Sequence, residues 1–337
     1  MKNLIQEESS LYKFPITVTI EKMGNKGDGI SSKSMIYNKS KKCYILFIPG
    51  ALPGEIVSVI PKKISSEIIY CEIIKILSSS KNRIKEDCNV SQKCGGCSFR
   101  HVKSNWLENW KYENLLSNLS KSKITNKVLN ISSSPNFSRR RALFSFSNKN
   151  GNLILGFNSF QSNEVINIDD CKTLTPFLLK LITNFKIFLK TMNFPKNLIS
   201  KIQINQLDKG ADVLIMINKN FYDNTKVLMK LVEFATANKV LRLSLKKGDE
   251  IEIFFKNGEC NLTLGKFQNK TLIITPPPGG FLQPTTHGEN EIIKSVLSVT
   301  IKAKNVADLF CGCGTLSLPI AENSVIYSAD INKESIL

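Results

Sequence analysis

One stretch, Asn305-Val-Ala-Asp308-Leu-Phe-Cys-Gly312-Cys-Gly314-Thr-Leu-Ser-Leu-Pro-Ile-Ala321, restricts the local architecture more than any other part of the chain. A short apolar strand runs into a Gly-x-Gly turn and then into an amphipathic helix. Glycines let a ligand approach the backbone, and the helix N-terminus faces it. Eighteen residues after Gly312, Val325-Ile-Tyr-Ser-Ala-Asp330 reads as the next strand with an acid at its end. A carboxylate there can accept hydrogen bonds from ribose hydroxyls. Ser317 stands where the dinucleotide pattern has its third glycine. A Gly-x-Gly alone would be an ordinary turn. Strand, loop, helix, strand and acid in this order point instead to a ligand loop. Cys311 and Cys313 lie inside it, where small residues are needed for close packing, so both read as structural rather than nucleophilic.

A second string, Cys88-Asn-Val-Ser-Gln-Lys-Cys94-Gly-Gly-Cys97, holds three thiols within ten residues. Two glycines let the backbone turn sharply between Cys94 and Cys97, so that two sulfurs can reach one centre. A fourth ligand must come from elsewhere, and Cys171 is the best candidate. Four thiolates suit zinc or an iron–sulfur cluster. Radical chemistry on S-adenosylmethionine would need Cys-x3-Cys-x2-Cys, and the first gap here is five residues.

At 337 residues, 42% of them hydrophobic, the chain can bury a sizeable core and form two or three domains. No apolar run reaches membrane-spanning length, and the first ten residues lack the apolar stretch and cleavage site of a signal peptide. Nine cysteines are then expected in a reducing cytosol, where clusters are more often metal ligands than disulfides. The formal charge of +18 points to a polyanion, most simply nucleic acid. Forty of the 46 basic residues are lysine, so the six arginines are informative. Half of them form Arg139-Arg140-Arg141, and planar guanidinium groups grip phosphate as lysine cannot. The run reads as an RNA or phosphate contact, against the plainer alternative of a solvated strand end.

Residues 15–78 alternate as short strands with glycine turns, which predicts a small antiparallel barrel with lysines 39, 41, 42, 62 and 63 in its loops. Residues 79–101 form the cysteine loop. Ser104 is placed to cap a helix to about Leu119, with Trp106, Trp110, Leu115 and Leu119 toward the core. Strands resume over 139–168, with Ala142, Phe144 and Phe146 on one face. Helices are predicted over 175–192 and 222–238. Strands near 201–205, 211–217, 240–245, 251–255 and 271–275 complete an α+β region. Pro276-Pro-Pro-Gly-Gly280 is the clearest boundary, since neither helix nor central strand survives it.

These residues together resemble the RNA uracil-5-methyltransferase family, in its iron–sulfur branch acting on 23S ribosomal RNA. The glycine loop resembles the S-adenosylmethionine loop of class I methyltransferases. Gly27-Asp-Gly29 and Ile48-Pro-Gly-Ala-Leu-Pro-Gly54 resemble strings of an OB-like TRAM domain, and Ser80-Lys-Asn-Arg83 the approach to the cluster. The resemblance implies a multidomain α/β protein. It would comprise a TRAM-like barrel (15–78), a central α+β domain with a four-cysteine cluster loop (79–275) and the start of a Rossmann-like methyltransferase domain (276–337). It implies a [4Fe–4S] cluster on Cys88, Cys94, Cys97 and Cys171. Donor contacts would come from Gln283 of Gly280-Phe-Leu-Gln283, Asp308, Phe310, Gly312, Gly314, Thr315 and Asp330, and RNA contacts from Arg139, Arg140 and Arg141. The implied reaction is transfer of a methyl group to uracil C5 after a cysteine thiolate adds to C6. The target base must leave its stack to react.

In such enzymes the catalytic cysteine, a proton-abstracting glutamate and a uracil-contacting aspartate follow the donor loop. No cysteine follows Cys313, so no catalytic residue is assigned. The expectation is a C-terminally shortened, inactive copy that is monomeric and cytoplasmic and binds RNA. A transfer-RNA uracil-5-methyltransferase is the nearest enzymatic alternative, disfavoured by the cysteine cluster and barrel. A non-catalytic, metal-bearing RNA-binding protein is the other.

Overall fold

The computed structural model describes residues 14–37, 40–124, 131–149, 152–160, 162–192, 198–218, 225–267 and 270–336. The fold is mixed α/β, as expected. It divides into two compact units, Met1–Asp87 with Cys97–Ile131, and Cys88–Gly96 with Ser132–Leu337.

The smaller unit holds β1 (Ile16–Thr19), β2 (Lys22–Met23), β3 (Gly29–Tyr37), β4 (Ser40–Ile48), β5 (Ile56–Ser65) and β6 (Ile68–Ser78) in one sheet, ordered β1-β5-β6-β4-β3-β2. Alternation sends Val57 and Val59 of β5 inward to meet Leu46, Ile48 and Ile69. The sheet is not wholly antiparallel, because β4 and β6 run parallel from Ile45↔Ile68 to Phe47↔Tyr70. Lys62 and Lys63 lie in β5 and Lys41 and Lys42 in β4, not in loops; Lys39 lies outside the described residues. The expected approach to the cluster is an internal latch. The Arg83 guanidinium donates to both oxygens of buried Glu55, at 2.6 and 2.8 Å, and to the Gly50 carbonyl. Helix α1 (Ser104–Lys121) begins one residue earlier than its expected cap implies. Lys103 holds the N-cap without a side-chain hydrogen bond, and no residue of the helix is buried. Trp110 instead packs against Phe99, ring centroids 5.7 Å apart.

The larger unit is built on a seven-stranded sheet. Its strands are β7 (Arg141–Lys149), β8 (Asn152–Asn158), β9 (Val165–Asn167), β10 (Ile199–Gln206), β11 (Ala211–Ile217), β12 (Val240–Lys247) and β13 (Glu250–Lys256), ordered β13-β12-β11-β10-β7-β8-β9. Only β11 and β12 are parallel; α3 (Thr225–Ala237) connects them, as a parallel pair requires. Residues 222–224 of that expected helix lie outside the described residues. Helix α2 (Pro176–Thr191) buries Leu178, Leu181, Ile182, Phe185 and Leu189, the stripe that a 3.6-residue period produces. They meet Ala142, Phe144 and Phe146, whose shared face is the core face of β7. Thr175 caps α2, accepting the Leu178 N–H at 3.2 Å, with proline following it. Thr175→Ala is expected to lower stability by about 1 kcal/mol in a denaturant titration.

A hairpin, β14 (Leu262–Phe267) and β15 (Lys270–Ile274), has a small core of its own with Cys260 and Leu282. Between this hairpin and α4 (Thr286–Thr300) runs Pro276–Gly280. It ends the strand as prolines must, yet it is pinned to the large sheet. Gln203 and Asn205 donate to the Gly279 and Gly280 carbonyls at 2.6 and 2.9 Å. Arg242 donates to Pro276 O, and the Gly279 N–H donates to Asp212. Last come β16 (Asn305–Leu309), α5 (Ser317–Ala321), β17 (Val325–Ala329) and α6 (Lys333–Ile336), with β16 and β17 parallel. No helix among the described residues is long and apolar enough to cross a membrane.

Candidate functional site

The glycine loop leaves β16 at its C-terminal end. The N–H groups of Phe310 and Cys311 both donate to the Ala329 carbonyl of the neighbouring strand, at 2.7 and 3.1 Å. Phe310 takes φ +67°, a left-handed conformation costly for a bulky residue, and its side chain is 85% exposed. Gly312 and Gly314 follow at φ +54° and +83°, which only glycine adopts without strain. Asp330 closes the loop: one carboxylate oxygen accepts the Gly312 N–H and the other the Asn332 N–H, each at 2.8 Å. The Asn332 and Gly312 N–H groups hold this carboxyl below the ordinary aspartate value. It is therefore an anion at neutral pH, with acceptor capacity left over.

Ser317, at the missing third glycine, has a packing role. Its buried hydroxyl donates to Asp308 at 2.6 Å and lies 2.9 Å from the Ser328 hydroxyl. Asp308 is thus the anchor of a serine relay between β16, α5 and β17. Cys313 packs against the small core that contains Leu282, which puts the residue before Gln283 beside the loop. Burial pushes the Cys313 thiol up, against a hydrogen bond to Thr315, and the Cys311 thiol is raised too. Neither is poised as a thiolate, in keeping with their reading as packing residues.

The arginine run does not act as a unit. Arg140 points inward and is 4% exposed. It donates to Glu289 at 2.7 Å, to Thr286 Oγ1 at 3.2 Å and to Gln283 O at 3.1 Å. Glu289 is 1% exposed. The expectation that Arg140 grips RNA is therefore corrected: its guanidinium is spent on a buried ion pair. The signal was in the sequence, since Arg140 extends the even-numbered face of Ala142, Phe144 and Phe146. Arg141 lies on the other face, its guanidinium 4.9 Å from the centroid of the Phe281 ring. Burial, then the charge of Arg139, lowers its pKa. Arg139 is half-buried, and its backbone is fixed by Thr173 and Thr175.

The cysteine loop is positioned by its backbone. Cys94 forms a β-bridge with Ser159, and the Gly95 N–H donates to Asn158 O at 2.9 Å. A Cβ on Gly95 would sit 2.9 Å from that same carbonyl oxygen, so glycine is required by close approach. Burial raises the Cys94 thiol, and the charges of Cys171 and Cys88 raise it further. Cys97 belongs to the other unit. Among the described residues no group of three or more His, Cys, Asp or Glu side chains is gathered to hold a metal ion. The donor chemistry of these sulfurs suits a soft metal.

No family model matches the chain. An uncharacterized RNA methyltransferase of Brucella suis is 29% identical over 318 residues, 93% of this chain and 69% of its own length. The 23S rRNA (uracil(1939)-C(5))-methyltransferase of Shewanella halifaxensis is 29% identical over 286 residues, 83% of this chain and 63% of its own. Among solved structures, the tRNA (uracil-54, C5)-methyltransferase of Pyrococcus abyssi, crystallised with S-adenosyl-L-homocysteine, superposes with a TM-score of 0.67. That match covers 95% of this chain and 74% of the archaeal one at 15% identity, so it speaks to the fold. The curated relatives are RNA methyltransferases. The expectation that this chain is an inactive copy finds no support in matches that run along 93% of it.

Proposed function

We propose that this chain is an S-adenosylmethionine-dependent RNA methyltransferase acting on uracil C5, with 23S ribosomal RNA as substrate. The observation that carries the reading is the β16–loop–α5–β17 arrangement ending on ionised Asp330, in a chain whose relatives methylate RNA. Asp330 would take the ribose hydroxyls of the donor. Gly312 and Gly314 would admit it to the backbone, Phe310 and Thr315 would flank it, and Gln283 would contact it. Asp308 would hold the loop in shape. The bound donor supplies an electrophilic methyl group. The nucleophilic cysteine expected for C6 addition is not assigned. Residues 15–78 are assigned to a TRAM-like RNA-binding module, 79–275 to the central domain and 276–337 to the donor domain. Arg139 and Arg141 remain the arginines offered to RNA.

Cys88, Cys94, Cys97 and Cys171 would hold a [4Fe–4S] cluster, with zinc as the alternative. Protein purified without oxygen is expected to absorb in the visible, and Cys94→Ser to abolish the band. Colourless protein carrying stoichiometric zinc would replace the cluster by the second metal. The activity itself is tested by transfer of labelled methyl from S-adenosylmethionine to unmodified 23S rRNA and, separately, to tRNA. Incorporation at uracil C5 of rRNA alone is expected; labelling of tRNA alone would move the assignment to the substrate of the archaeal structure. Failure to bind S-adenosylmethionine at all would leave a non-catalytic RNA-binding protein.

A further inference from the structure

We infer that the groove between the cysteine loop and the open face of the large sheet seats an unpaired RNA nucleotide. Its base stacks on Phe160 and its phosphate is neutralised by Lys201. The inference rests on the RNA reading above and adds a contact site to it.

Residues Leu143 and Ser145 of β7 point away from the core, and the register pairs Ser145 with Lys201 of β10, so all three share the open face. Leu143 is 42% exposed there. Gly95 and Gly96 of the cysteine loop, with Phe160 from the turn after β8, line the groove as well, and its volume is about 290 Å³. That is the low end of small-ligand pockets, about 300–1,000 Å³. It suits one nucleotide, not a helix or a duplex.

Two features select the occupant. Phe160 is 48% exposed, so half its ring is spared from packing. An exposed aromatic face accepts any base, independent of sequence. Lys201 brings a flexible cation, and no carboxylate is among the described residues lining the groove, so nothing there repels a phosphate. Asn158 also lines it. A paired base hides its face in the stack, so the site requires single-stranded RNA. An extended peptide would add to a sheet edge, whereas this groove lies on a sheet face.

The test is fluorescence anisotropy of a short labelled single-stranded RNA with the full chain and three variants. Phe160→Ala is expected to weaken binding about tenfold or more. Lys201→Gln should weaken it and flatten the slope of log affinity against log salt by about 0.7. Ser145→Trp, which fills the groove, should weaken it as strongly as Phe160→Ala. Calorimetric binding of S-adenosylmethionine should be unchanged in all three, which also reports that each is folded. If the parent binds RNA and all three variants bind it equally well, the groove is no nucleotide seat, although the RNA reading stands; a peptide-binding groove would give that result. If the parent binds no RNA at low salt, both fall together.

Discussion

Glu289→Ala will destabilise the protein by about 3–5 kcal/mol, the cost of leaving one charge of a buried ion pair behind. Arg140 would keep the Gln283 carbonyl and the Thr286 hydroxyl as neutral acceptors, which holds the loss toward the lower figure. One Glu289 oxygen, Oε1, lacks any hydrogen-bond partner, so the native pair is itself incompletely satisfied. Replacing both residues by apolar ones, as in Arg140→Met with Glu289→Leu, should therefore recover most of the loss. Denaturant midpoints of the four proteins, read as a double-mutant cycle, measure this. A single substitution costing less than about 1 kcal/mol would show that the pair is not the buried contact described here. Because Arg140 also fixes Gln283 and the start of α4, Glu289→Ala should weaken donor binding as well.

The second large effect falls on Asp330. Each of its oxygens already accepts one backbone N–H, and an ionised carboxylate offers about four acceptor sites, so about two remain for a ribose diol. Asp330→Ala is expected to weaken S-adenosylmethionine binding by a factor of about ten to a hundred in calorimetry. Asp330→Asn keeps the shape and one acceptor oxygen, and should fall between the two. The side chain lies at the rim of the loop rather than in a core. The melting temperature of the ligand-free protein should therefore move little, while its rise on adding donor is lost. Unchanged affinity in Asp330→Ala would remove the carboxylate from the donor site.

Most of the glycine loop was legible because its logic is local. Strand, turn, helix, strand and Asp330 follow one another, and each needs only its neighbours to form. The serine relay was not legible, because a missing glycine says nothing about which hydroxyl replaces it. Arg140 was misplaced for a different reason. A run of three guanidinium groups suggests a phosphate contact, whereas the alternation of β7 sends every second residue inward. Its partner Glu289 lies 149 positions away, so the pairing depends on tertiary packing. The cysteine loop showed its thiols in the sequence but not its backbone pairing with the turn after β8. The parallel β4–β6 pair was likewise beyond a strand count, because alternation gives faces and not directions.

Pro276–Gly280 had the composition of a hinge, and the structure makes it a rivet. Gln203, Asn205, Asp212 and Arg242 belong to three adjacent strands, and all four hold that one short segment. Strand separation in the sheet would free the backbone leading to Gln283 and α4, and loosening that backbone would strip polar partners from the sheet interior. The segment leading to Gln283 thus takes its rigidity from a sheet it does not belong to.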